Sequence, residues 1–108
     1  MMHETVPLCD EAATPDALRA LAAAVDRALG LASRDRAVTD RRMRPDPYAG
    51  GPVRELSIDW EADGHSVRAA LVEVAWVGWE LVVTARVDAA AEPALRDAVT
   101  SWCAGRAK

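Results

Sequence analysis

The sequence predicts a two-layer α+β domain: an antiparallel sheet of three to four strands with an N-terminal and a C-terminal helix on one face, in the order α-β-β-β-(β)-α. Three observations lead there. Apolar residues recur at steps of three and four after Thr14, alternate with polar residues around Ile58, and return to steps of three and four after Pro93. Helical segments at both ends of a run of strands joined by short turns place the strands in a meander with the helices packed on it. At 108 residues the chain has room for one core. Residues 14–108 are therefore read as a single domain, and residues 1–13, which lack an apolar period and contain Pro7, as an N-terminal arm.

The first helix begins at Thr14-Pro15-Asp16. The Thr hydroxyl takes an unsatisfied backbone N–H, Pro15 needs no hydrogen bond there, and Asp16 faces the positive helix end. Leu18, Leu21, Ala22, Val25, Ala28 and Leu29 then share one face, and the helix ends between Gly30 and Ser33. Residues 34–47 are strongly charged and fit either an edge strand or an ordered loop. Pro45, Pro47 and Gly50-Gly51-Pro52 make 45–52 a loop.

Leu56, Ile58 and Trp60 alternate with Ser57, Asp59 and Glu61, as a strand with one dry face requires. Asp63-Gly64 suits a tight hairpin, so 54–61 pairs antiparallel with 67–75. In 67–75 both alternating sets are largely apolar, which marks a central strand. Gly78 is a turn or a bulge, and 79–87 is the third strand of the meander. After Glu92-Pro93, Leu95, Ala98, Val99 and Trp102 share a face of the second helix.

Hydrophobic residues make up 51% of the chain and charged residues 28%, a globular mixture. With no Phe and one Tyr, the four Trp residues carry most of the large apolar surface. A formal charge of −4 argues against coating nucleic acid or anionic membrane. The first residues lack the order of a signal peptide and no run suits a membrane span, so a cytoplasmic protein with no membrane partner is expected. Cys9 and Cys103 are read as free thiols. Arg supplies twelve of the thirteen basic residues and Asn and Gln are absent, a pattern of coding bias that discounts arginine abundance as a functional signal.

Chemistry is sparse. His3 and His65 are the two histidines. His65 sits in the presumed hairpin, and its neighbour Ser66 points to the opposite strand face, so the two form no dyad. Paired C-x-x-C ligands and glycine-rich phosphate loops are missing, and no cofactor is expected. Asp59, Glu61 and Asp63 share a strand face, which is read as solvated. Glu73 interrupts an apolar strand. Arg34, Arg36, Arg41, Arg42 and Arg44 form the strongest polar cluster, diluted by Asp35 and Asp40. Of these, Arg36, Arg41, Arg42 and Arg44 are the candidate patch for an anion or an acidic partner.

Trp76 and Trp79 flank Gly78 near a strand end, where exposed Trp favours an interface. Together with Glu73 they are the candidate interface. The reading is a non-enzymatic protein-interaction or regulatory module whose partner is another protein or a second copy in a homodimer. The alternatives are a small-molecule-binding domain with a Trp-lined pocket and, ranked below it, a phosphate or nucleic-acid binder working through 34–44.

Overall fold

The computed structural model describes residues 1–62 and 64–108. Among the described residues there are five strands, β1 (Met2–Pro7), β2 (Thr39–Arg42), β3 (Pro52–Ala62), β4 (His65–Val74) and β5 (Gly78–Arg86). There are two helices, α1 (Pro15–Ala28) and α2 (Glu92–Cys103), and a short 3-10 turn over Asp10–Ala12. The strands form one antiparallel sheet in the order β1-β5-β4-β3-β2. The α+β class, the meander and both helices are as expected, but the sheet has five strands where three to four were expected.

The additional strand is β1, in the segment expected to be an arm. Its residues Met2, Glu4 and Val6 face the same side as Ala85, Val83 and Leu81 of β5, their register partners. The alternation is broken by Glu4, whose carboxylate pairs with Arg96 of α2 rather than with solvent alone. A six-residue strand whose partner lies far along the chain leaves no hairpin signature in the sequence. The charged stretch 34–47 contains β2, a short edge strand with every residue exposed. Its polar residues suit an edge that must not recruit other strands.

Local signals explain the boundaries. Thr14 Oγ1 accepts the Ala17 N–H at 3.0 Å and Pro15 opens α1. At the other end Gly30 has φ 70°, its N–H bonds the Arg27 carbonyl at 3.2 Å, and the Leu31 N–H bonds the Asp26 carbonyl at 2.8 Å. This is the paired closure that a left-handed residue just past a helix makes possible, and it turns Leu31 back onto the core. The hairpin joining β3 to β4 falls at the expected place; Asp63 of the expected Asp63-Gly64 turn lies outside the described residues.

Leu56, Ile58 and Trp60 of β3, Val67, Ala69 and Leu71 of β4, and Leu81, Val83 and Ala85 of β5 make one apolar sheet face. Leu18, Leu21, Ala22 and Val25 of α1 and Leu95, Val99 and Trp102 of α2 cover it. On the opposite face Ser57, Ala70 and Val72 are buried although no helix lies over them. An ion-pair ladder runs across this face: Glu55 lies between Arg41 and Arg68, and Arg68 between Glu55 and Asp59. The small central residues sit among its long side chains.

One charged group lies inside the core. Asp26 is fully buried and accepts two hydrogen bonds from Arg36, at 2.6 and 3.2 Å, and one from the Trp60 indole N–H at 3.0 Å. The Arg36 guanidinium also lies 5.1 Å from the Trp60 ring centre, a cation–π distance. Breaking such a pair leaves an uncompensated buried charge, so Arg36→Met should cost about 3–5 kcal/mol in urea unfolding. Asp26→Leu combined with Arg36→Met should recover much of that loss. A single variant within about 0.5 kcal/mol of wild type would show that Asp26 carries no buried charge.

Candidate functional site

The end of the sheet where β4 turns into β5 carries the most exposed aromatic surface. Trp76 is 80% exposed, Val77 64% and Tyr48 94%. The β4–β5 connection is a tight turn closed by the Val77 N–H to the Val74 carbonyl at 3.1 Å. Trp76 occupies its third position with φ 64°, and among the described residues it is the one non-glycine with positive φ. Turns that need a left-handed residue there usually take Gly or Asn, because a Cβ makes this backbone unfavourable by about 1–2 kcal/mol. A large apolar side chain is thus held in a strained backbone and also left in water.

A second loop supports it. Asp46 and Gly50 exchange backbone hydrogen bonds at 3.0 and 2.8 Å, and Asp46 Oδ1 accepts the N–H groups of Tyr48 at 2.7 Å and Ala49 at 2.9 Å. Those bonds hold the Asp46 carboxyl below its ordinary value of 3.8, the Ala49 bond contributing most. Gly50 (φ 74°) is buried, and a Cβ there would lie 3.0 Å from the Trp76 ring, so the absence of a side chain is what lets the indole rest on this loop. The Ala75 N–H bonds the Gly51 carbonyl at 2.9 Å, tying the two loops together. Trp76, Val77 and Tyr48 therefore stand on a hydrogen-bonded platform.

The candidate residues are distributed as follows. Trp76 is at the tip. Trp79 is half-buried and packs against the core, and its carbonyl accepts the Leu8 N–H at 2.9 Å. Glu73 faces the helix side, with Arg54 and Trp79 as its register neighbours on either side. Its charge helps raise the Arg54 pKa, behind the larger contribution of the Asp40 hydrogen bond. Trp60 and Trp102 are core residues with their indole N–H groups satisfied, the second by the Ala17 carbonyl at 2.8 Å.

The arginines do not form one patch. Arg36 turns inward to Asp26, and Arg41 lies 3.7 Å from Glu55 on the outer face. Arg42 and Arg44 are exposed and have no ion-pair partner among the described residues. Arg41 and Arg42 point to opposite faces of β2 by strand alternation. Tyr48, Val77 and Gly50 carry the site but escape sequence reading: a lone Tyr in a Pro/Gly loop looks like any loop residue, and nothing local tells that the loop lies beside the β4–β5 turn.

The opposite end of the sheet mixes charged residues with apolar ones, among them the exposed Met1. A depression of about 550 Å³ there is lined by Asp59, Glu61, Ser66, Arg68, Thr84 and Arg86, among others, and two of these, Asp59 and Arg68, are already paired at 2.9 Å. Among the described residues no cluster of His, Cys, Asp and Glu is arranged to hold a metal ion, and no helix is long and apolar enough to cross a membrane. Cys9 and Cys103 are free thiols, and burial pushes the Cys103 thiol up. Comparison with protein-family models, curated proteins and solved structures gives no match.

Two outcomes are expected at the tip. Trp76→Gly removes exposed surface and relieves the backbone, so its stability should equal wild type or exceed it by up to about 1 kcal/mol. Gly50→Ala should cost about 1–2 kcal/mol, and less in the Trp76→Gly background if the ring is what it meets. Chemical denaturation of the four proteins measures both, and a Trp76→Gly loss above about 2 kcal/mol would make the indole structural. For Asp46 the folded-state pKa is depressed, so its contribution is whole above the ordinary 3.8 and is lost as pH falls below that toward the folded-state value. The Tyr48 and Ala49 amide resonances should shift together over that acid range and stay fixed above it; in Asp46→Asn this shared transition should vanish.

Proposed function

We propose that this protein is a non-enzymatic interaction module that engages another polypeptide through the sheet end bearing Trp76, Val77 and Tyr48. The observation that carries the reading is the pairing of strain with exposure at Trp76. A residue that stabilises the fold is normally buried or relaxed. An 80% exposed Trp at φ 64° is neither, and strained positions of this kind cluster at ligand clamps and binding sites.

The chemistry of the tip agrees. Trp and Tyr are the residues most often found at the energetic centre of protein interfaces, because they bring large apolar area with few rotatable bonds and a polar edge. The platform of Asp46 and Gly50 restricts the loops before a partner arrives, which reduces the ordering cost of association. Against the arginine-patch alternative stands the withdrawal of Arg36 into the pair with Asp26, and Arg41 is engaged with Glu55.

The test is photo-crosslinking. p-Benzoylphenylalanine placed at position 76 should give specific polypeptide adducts in a lysate of the source cells. The same probe at Asp97, on the exposed surface of α2, should not give them. Equal labelling from both positions, or none from position 76, would sink the proposal.

A further inference from the structure

We propose that a concavity between α1 and the chain leaving it binds phosphate, as the free ion or as the head of a small monoester. The proposal is independent of the tip. The concavity has a volume of about 300 Å³ and is lined by two alanines of α1 together with Arg19, Ser33, Arg34, Asp35 and Arg36, a size at the small end of ligand pockets. The withdrawal that separates Arg36 from Arg41 and Arg42 thus brings it beside two other arginines.

Arg36 distinguishes this place from a chance gathering of surface cations. Its side chain is only 9% exposed. Nε and Nη2 donate to Asp26 and the guanidinium lies over the Trp60 ring, so its direction is set before any ligand arrives. Nη1 has no hydrogen-bond partner among the described residues and yet is not closed off from solvent, so it opens where Arg36 lines the concavity. Phosphate suits such a place because its oxygens accept from guanidinium forks and hydroxyls together, and Arg34 and the Ser33 hydroxyl line the same space.

The neighbouring charges set the affinity. Asp26 neutralises Arg36. Asp16 pairs with Arg19 at 3.0 Å, but the two side chains are 95% and 51% exposed, so that pair is loose. Arg34 and Asp35 have no ion-pair partner among the described residues. Arg27, the next cation of α1, lines the groove toward α2 instead. The preset Arg36 edge therefore supplies direction, Arg34 and the loosely held Arg19 supply charge, and Asp35 limits binding to a dissociation constant on the order of 1–10 mM.

An NMR titration of the isotope-labelled protein with inorganic phosphate and with O-phosphoserine, at constant ionic strength and with acetate as the control anion, gives the test. The amides of Ser33 and Arg34 and the Arg36 side-chain Nε–H should shift together and saturate with both phosphates, and should stay unsaturated with acetate. Tighter binding of O-phosphoserine assigns the site to a monoester, and tighter binding of inorganic phosphate to the free ion. Arg34→Ala should weaken binding by about fivefold through the loss of a charge-assisted contact. Asp35→Ala should strengthen it by about twofold, since a like charge leaves the site. Arg86→Ala, an exposed arginine at the far end of β5, should leave it unchanged, and circular dichroism should be the same for all three variants. Shifts that never saturate, an equal loss in Arg34→Ala and Arg86→Ala, or no gain in Asp35→Ala would overturn the proposal.

Discussion

A carboxylate buried beneath a sheet must be neutralised by donors, and Asp26 takes three, two from Arg36 and one from the Trp60 indole. Those contacts tie together the last turn of α1, the irregular segment leading to β2, and the hairpin end of the apolar sheet face, adding to the apolar packing of α1 on that face. The Gly30 closure reverses the chain so that Arg36 returns over the helix end. The short strand β2 follows, and its register on β3 begins at Thr39 opposite Ser57. Beyond the Asp26 anchor, the edge carrying Arg41, Arg42 and the tip loop is held by the short β2 ladder, the Arg54–Asp40 pair and Val38 packed against the core. The interaction settles where one side of the tip begins, though it lies near the other end of β3.

The fold was legible wherever local chemistry and global packing agree. Thr14-Pro15 marks a helix start by capping that depends on adjacent residues, and Leu56, Ile58 and Trp60 mark a face by simple alternation. What escaped was non-local. β1 pairs with a strand at the far end of the sequence, and Glu4 in its inward set finds Arg96 on α2, so neither pattern nor turn announces it. The ionic partners escaped for the same reason. Arg36 looks like one member of a cationic run, and Asp26 like a polar residue on a helix surface, until the chain reversal brings them together. At the tip, the exposed Trp was legible from Gly78 and its position at a strand end. Tyr48 and Gly50 were not, because only the sheet order sets the β2–β3 loop beside the β4–β5 turn.

The two sheet faces and the two sheet ends divide the labour. The helix side is closed by apolar packing and the outer side by a ladder in which Arg41, Glu55, Arg68 and Asp59 neutralise one another. The hairpin end mixes charged and apolar residues. Unburied aromatic area lies at the remaining end, where the backbone also holds its one left-handed side-chain-bearing residue among those described. Exposure and strain each have ordinary explanations singly; their coincidence in two linked loops sets the tip apart from the rest of the surface.

The pairing of β1 with β5 has a consequence for handling and evolution of the chain. His3 bonds Thr84 across 81 positions of sequence at 3.2 Å, so this strand is made early and must wait for its partner. Until it docks, β5 presents the open edge of Leu81-Val82-Val83, an apolar β-rich stretch of the kind that recruits other chains into aggregates. β1 therefore acts as a fitted cover strip, and the Arg96–Glu4 pair and the Lys108 N–H to Pro7 carbonyl bond at 3.0 Å are its fastenings. Trimming of the first seven residues would strip that cover and expose a hazard at the flank opposite β2, an apolar triplet bounded by Glu80 and Thr84.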